Sequence, residues 1–204
     1  MKRLYFILLL SFIGTSTFAQ DFPSELWHEG KMVLVNDDTL VGKLKYDMKQ
    51  DIVQVQTEDK LYTYGASKIF YFDIFDETVD YYRQFYTLPY GLISNYKVPV
   101  IFEVLIEGNI SLLSREKVIL KSSQLNSAYS YSSTSSYSRE VLTYDYYFLD
   151  RMGEITSYNF KKKGLMAVLN KREQQVSKFI RSNSLHVDRR SDLIRIISFY
   201  NGII

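Results

Sequence analysis

Between residues 28 and 160 apolar and polar positions mostly alternate. Leu40, Gly42, Leu44 and Tyr46 fall on one phase, and Val41, Lys43 and Lys45 on the other. That two-residue repeat marks a strand with one face buried. Val100, Phe102, Val104 and Ile106 repeat the pattern against Glu103 and Glu107, which leaves both carboxylates on the polar phase. Turn-forming residues separate the runs: Asn36-Asp37-Asp38, Asp47 to Asp51, Glu58-Asp59, Asp76-Glu77, Gly108-Asn109 and Arg151-Met152-Gly153. Turns about eight to twelve residues apart are what antiparallel hairpins produce, since consecutive strands then pair without a long crossover. The spacing predicts about eight to ten strands.

After residue 160 the repeat lengthens. Asn170 ahead of Lys171-Arg172-Glu173 resembles a capping box, and Val176, Phe179 and Ile180 then share one helical face. Asp188 or Ser191 is placed to open a further helix. Its apolar stripe is Leu193, Ile194, Ile197 and Tyr200, and Asn201-Gly202 supplies a stop. Residues 164–169 suit a shorter first turn. Helices this short need a surface to bury their stripes. The expected fold is therefore mainly β, an antiparallel sheet in sandwich or barrel-like form over residues 20–160, with a helical C-terminal cap over 161–204. Its class is α+β.

Residues 122–138 depart from both repeats, with nine serines and three tyrosines in 17 positions. That is long for a structureless loop inside a compact domain. Tyrosine and serine together make adaptable binding surfaces, which marks Tyr129, Tyr131 and Tyr137 as candidate contact residues. A flexible polar connection, or a frayed hairpin continuing through Tyr129 and Tyr131, is the plainer reading. Tyr81, Tyr82, Phe85 and Tyr86, and later Tyr144, Tyr146, Tyr147 and Phe148, set rings on both faces of their strands. Tyr82 and Tyr86 are candidates for a platform that meets a sugar or a partner. Packing of one face on the core and the other on the cap or a second sheet explains the same rings.

Composition changes the picture at the ends. Lys2 and Arg3, an apolar run from Leu4 to Ile13 and the small-residue ending Thr17-Phe18-Ala19 have the order of a secretory signal peptide, residues 1–19, with cleavage expected after Ala19. The run is too short to span a bilayer, and no later stretch is long and apolar enough. The expected product is exported, to the periplasm, the outer-membrane surface or the medium, without a transmembrane segment. The chain has no cysteine, which excludes disulfides, thiolate metal sites, cysteine nucleophiles and a lipid-modified N-terminal cysteine. Its formal net charge of +2 is too small to suggest a nucleic-acid partner. The charge is nevertheless divided. Residues 20–160 hold 13 basic and 20 acidic side chains, and residues 161–204 hold 10 and 3. The two parts are expected to attract each other, and the basic end offers a face to anionic lipid.

Catalytic constellations are missing. His28 and His186 stand outside any metal-ligand spacing, no G-x-S-x-G or glycine-rich phosphate loop is present, and the two S-x-x-K matches at Ser94 and Ser114 lack partner motifs. Asp73, Asp76, Glu77 and Asp80 crowd into eight residues, as at a hard-cation site, but lack the glycine and terminal glutamate of an EF-hand. A solvated hairpin turn accounts for them, so neither metal nor cofactor is expected.

Two stretches carry a family resemblance. Glu29-Gly30-Lys31-Met32-Val33-Leu34-Val35-Asn36-Asp37-Asp38-Thr39-Leu40-Val41-Gly42-Lys43-Leu44 resembles the strand, G-D-T turn and G-K strand that open uncharacterised exported proteins of Bacteroidota, with Asp37 where those often have glycine. Phe102 to Leu113 is similar to their middle section and Asp192 to Asn201 to their ending. The resemblance implies an envelope or secreted location and no assigned activity. The reading is an exported, non-catalytic binding or structural protein of the cell envelope, partnered by an envelope protein, a glycan or an anionic lipid surface. The alternative is a carbohydrate-binding module or a hydrolase using acidic residues.

Overall fold

The computed structural model describes residues 22–91, 96–124 and 136–204. The expected signal peptide, Tyr129 and Tyr131 lie outside them. Ten strands form one antiparallel sheet: β1 (His28–Leu34), β2 (Thr39–Asp47), β3 (Ile52–Gln56), β4 (Leu61–Gly65), β5 (Ile69–Asp76), β6 (Tyr81–Tyr90), β7 (Val98–Ile106), β8 (Ile110–Gln124), β9 (Ser136–Asp150) and β10 (Ile155–Ser157). Their spatial order is β10-β9-β8-β7-β6-β5-β1-β2-β3-β4. Consecutive strands are adjacent, with one exception: β5 leaves the edge strand β4 and pairs with β1 instead. Gly30 permits that close pairing, because a Cβ there would strike the Asp73 carbonyl of β5.

The sheet forks between β7 and β8. These strands pair only from Glu103 opposite Ser114 to Ile106 opposite Leu112, and beyond Ser114 they diverge. The β2–β3 turn fills the fork. Asp51 accepts the Ile101 N–H at 2.8 Å and Arg115 Nη1 at 2.7 Å, while Arg115 also donates to the carbonyls of Ile101 and Met48. The first seven strands thereby curl around Leu44, Tyr46, Val53, Phe72, Phe85 and Ile101, all essentially inaccessible to water. The roll is barrel-like, but side chains rather than strand pairing close it.

Past the fork β8 and β9 continue as a two-stranded arm, paired as far as Gln124 opposite Ser136. Residues 122–124 and 136–138 of the serine- and tyrosine-rich segment are strand, and 125–135 lie outside the described residues.

Three helices follow: α1 (Lys162–Val168), α2 (Glu173–Ser182) and α3 (Arg190–Gly202). They pack Leu165, Val176, Ile180, Leu193, Ile196 and Ile197 on Leu112, Tyr146 and Phe148 of the sheet. Asn170 does not cap α2. It begins a 3-10 turn, Asn170–Arg172, after the fully buried Leu169, and α2 starts only at Glu173. Neither Asp188 nor Ser191 caps α3, and Asp192 in its first turn instead accepts the His186 N–H at 3.0 Å. Asn201 docks the end of α3 through both amide atoms, to the Ile110 N–H at 3.0 Å and the Ile110 carbonyl at 2.9 Å.

Rings on both faces of β9 have separate partners. Tyr146 and Phe148 meet the helices, whereas Tyr147 turns to the other face, 5.1 Å from Phe102 and 5.4 Å from Tyr90. The attraction expected between basic cap and acidic sheet reduces, among the described residues, to one ion pair, Arg190 with Glu103. Lys161, Lys162, Lys163, Lys171, Arg172 and Arg189 stay exposed.

Candidate functional site

The apolar interior is interrupted by charge where the roll meets the helical cap. Inward positions of β6 are Arg83 and Phe85, so its alternation turns Arg83 towards the roll. Its guanidinium uses every nitrogen: Nε donates to Glu103 Oε1 at 3.0 Å, Nη1 to Tyr46 Oη at 2.9 Å and Asp76 Oδ2 at 3.0 Å, and Nη2 to Glu116 Oε2 at 3.1 Å. Glu103 is the most enclosed charge. Its Oε1 also accepts from Arg190 at 2.8 Å and its Oε2 from the Ser114 hydroxyl at 2.8 Å. Arg190 lies 4.9 Å over the Tyr144 ring. The polar phase assigned to Glu103 by alternation is thus inside, because β7 is covered on both faces, by Arg83 and Arg190 on one and by the Phe102 and Tyr147 rings on the other.

The titration shifts follow from this geometry. Burial raises the Glu103 carboxyl, but Arg83 and Arg190 overcome it and hold the group below its ordinary 4.5. Burial likewise opposes ionisation of Asp76, and its bonds from Thr78 and Arg83 leave it below 3.8. Burial pushes the Tyr46 hydroxyl well up, with Arg83 pulling it down and Glu116 pushing it further up.

For Asp76 and Glu103 the folded value lies below the unfolded one. Their stabilisation is complete above the ordinary values of 3.8 and 4.5 and is lost as pH falls through the lower folded values. The urea midpoint is expected to hold from pH 7 to about 5 and then drop steeply toward pH 3. A midpoint unchanged down to pH 3 would contradict the paired state of these carboxylates.

Such a cluster is poorly suited to catalysis. A general base needs a proton affinity near the working pH, and Glu103 has been driven the other way. Ser114 is fully buried with its hydroxyl given to Glu103, so no substrate atom reaches it.

One atom of the cluster is left over. Glu116 is 2% exposed, and its Oε1 has no hydrogen bond of good geometry among the described residues, although the Tyr46 hydroxyl bears on the carboxylate. Glu116 also contributes to the lining of a groove of about 950 Å³ between the β2–β3 hairpin and the β8–β9 arm. Val118, Leu120 and Leu142 line it from the arm and Ile52 from the hairpin, and charged side chains of both, among them Lys45, Lys49, Glu140 and Asp145, line the rest.

The sequence candidates fall elsewhere. Tyr82 and Tyr86 occupy the opposite face of β6 from Arg83. Tyr82 is 64% exposed, its ring centroid 5.0 Å from that of Phe75 in an edge-on pair, and Tyr86 stacks on Tyr71 at 5.5 Å. Tyr137 pairs with Ser123 far along the arm, two strands removed from β6's neighbour β7. Asp73 and Asp76 sit on opposite faces of β5. Asp73 pairs with Lys31 at 3.3 Å and Asp76 with Arg83, while Glu77 and Asp80 are exposed in the turn. Among the described residues no group of three or more acidic or histidine side chains converges as a metal site. His28 is buried, its Nε2 2.7 Å from the Pro23 carbonyl, and His186 is exposed. Sequence reading missed Arg83, Glu103, Glu116 and the groove. The available signal was an arginine on the phase of Phe85, whose ring is fully buried.

Searches of family models, of curated proteins and of solved structures find no match to this chain. No helix among the described residues is long and apolar enough to cross a membrane.

Proposed function

We propose that the chain is an exported, non-catalytic binding protein of the cell envelope, and that the groove between the β2–β3 hairpin and the β8–β9 arm is its ligand site. The observation that carries this reading is the groove itself, about 950 Å³ of space between the hairpin and the arm. Its volume is that of ligand sites, and Ile52, Val118, Leu120 and Leu142 add apolar surface to a lining that is otherwise mostly charged or polar. A second reading has its own support. Phe70, Tyr71 and Tyr86 form an exposed aromatic group on the other face of the sheet, with ring centroids 5.5 to 6.3 Å apart, which suits stacking of a sugar.

The test compares the tagged full chain with Leu120→Arg, a 72% exposed position whose longer side chain fills the groove, and with Tyr86→Ala. Leu120→Arg is expected to reduce the envelope-bound fraction at least ~10-fold, the equivalent of about 1.4 kcal/mol, with an unchanged melting temperature. Tyr86→Ala leaves it intact under the groove reading and lowers it under the sugar-platform reading. Turnover of a glycan panel by the purified protein would overturn the non-catalytic assignment.

A further inference from the structure

We infer that β4, an edge strand of the sheet, pairs antiparallel with β4 of a second copy of this chain around a two-fold axis at Thr63, joining two sheets into one.

The bonds of the β3–β4 ladder fix what the free edge offers. The Thr57 N–H donates to the Lys60 carbonyl at 2.9 Å and the Ala66 N–H to the Asp51 carbonyl at 2.8 Å, one bonded pair at each end of the ladder. Between them Val55 faces Tyr62 and Val53 faces Tyr64, and antiparallel alternation makes these the bonded pairs too. The N–H and C=O groups of Leu61, Thr63 and Gly65 therefore point away from β3, where no further strand follows. Leu61 is 59% exposed, Thr63 is exposed, and a Cβ on Gly65 would meet nothing within 4 Å. The edge is open to a partner strand.

The strand is complementary to itself. Outward groups of two antiparallel β4 strands meet only where Leu61, Thr63 or Gly65 of one stands opposite one of these three in the other. Thr63 opposite Thr63 is the register that engages them all. Leu61 then pairs with Gly65 of the second copy and Gly65 with its Leu61, each pair exchanging two main-chain bonds. The exposed Leu61 side chain lies beside a residue that has none, and Thr63 meets its own counterpart in a favourable cross-strand pair. On the other face the Tyr62 and Tyr64 rings, 6.2 Å apart within one copy, stand opposite Tyr64 and Tyr62 of the second, so the two stacks continue as one row.

Charge agrees with the same arrangement. The turn ahead of β4, Glu58-Asp59-Lys60, carries one net negative charge, and Lys68 after β4 carries one positive. Antiparallel pairing brings the turn of each copy toward Lys68 of the other. Among the described residues none of these four side chains is engaged in an ion pair. The strands of the arm guard their open edges with charge, Lys117 and Lys121 on β8 and Arg139 and Glu140 on β9, whereas β4 has no charged residue, proline or register shift from Leu61 to Gly65. Five residues a side make a small contact, so the association is weak and concentration-dependent.

Sedimentation equilibrium of the full chain over about three decades of concentration tests this. A monomer–dimer equilibrium is expected with nothing larger, because a two-fold contact closes on itself. Thr63→Lys sets two ammonium groups face to face on the axis and is expected to weaken the dimer at least ~10-fold. Its melting temperature stays unchanged, since Thr63 is exposed. Cross-linking reads the register, because the chain has no cysteine of its own. Thr63→Cys puts two Cα atoms about 5.5 Å apart across the axis, within reach of a disulfide, and mild oxidation is expected to yield a covalent dimer. Leu61→Cys, which faces Gly65 rather than its own counterpart, is expected to stay uncoupled. A monomer at every concentration, dimerisation undiminished in Thr63→Lys, or equal cross-linking of the two cysteine variants would overturn the inference. So would growth beyond the dimer, which marks a head-to-tail contact.

Discussion

Arg83→Met is expected to destabilise the protein by about 3–5 kcal/mol, the usual cost of removing one member of a buried ion cluster. Typical domains have only about 5–15 kcal/mol in total, so the variant should lose a large share of its stability. Methionine fills much of the same volume, and the loss is therefore electrostatic rather than a cavity effect. Asp76 and Glu116 lose their guanidinium partner, Tyr46 loses its donor, and Glu103 keeps only Arg190 and Ser114. The pH dependence identifies the cause. In the wild type Asp76 and Glu103 hold depressed values and the fold weakens as pH falls. In the variant burial acts on the carboxylates without Arg83, so protonation relieves the strain. The stability gap between the two proteins is expected to narrow from pH 7 to pH 4 in urea titrations. A gap that stays constant would assign the loss to packing. Arg83→Lys should fall between them, since an ammonium cannot reproduce the planar fork that meets Glu103, Asp76 and Glu116 together.

The elements were largely legible in the chain and the site was not, for a reason visible at single residues. Alternation in β2 places Leu44 and Tyr46 inside and Lys43 outside, as the structure has them. The turn residues expected at 47–51, 76–77 and 151–153 each fall at a junction between consecutive strands, although the second turn runs on to residue 80. Local periodicity succeeds where one face is buried and one is wet. It fails at β7, where Val100, Ile101, Phe102 and Glu103 are buried in succession, and a period of two then carries no information about which face is solvent. The cluster is further hidden by distance along the chain. Arg83 reaches partners 7, 20, 33 and 37 residues away, and Arg190 reaches Glu103 across 87. Those contacts depend on β5 crossing to β1 and on the β2–β3 turn entering the β7–β8 fork. Tertiary pairing decides both, and neither leaves a mark in composition or spacing. The division of charge between sheet and cap was real in the sequence, but packing uses it at one residue and leaves the remaining cations to solvent.

Leu193→Ala in α3 is expected to cost about 3–4 kcal/mol, because Leu193 is fully buried between the helices and the sheet and its truncation leaves a cavity. How that loss is distributed bears on the whole molecule. The helices share one apolar core with Leu112, Tyr146 and Phe148, while the roll has its own around Phe72 and Phe85. If the two cores were independent, the substitution would loosen the cap and leave the roll untouched. The charged cluster joins them: Glu103 in β7 binds Arg190 of α3 on one side and Arg83 of β6 on the other, and Tyr46 of the roll accepts from that same Arg83. Loosening α3 withdraws Arg190 from a carboxylate that is wholly buried and passes the cost to the roll. The sole tryptophan, Trp27, precedes β1 in the roll and reports on that part, whereas far-UV circular dichroism at 222 nm reports on the helices. The two signals are expected to shift to lower urea together in Leu193→Ala, with coincident midpoints. Separation of the midpoints, with the tryptophan transition unmoved, would show that the cluster does not couple the cores.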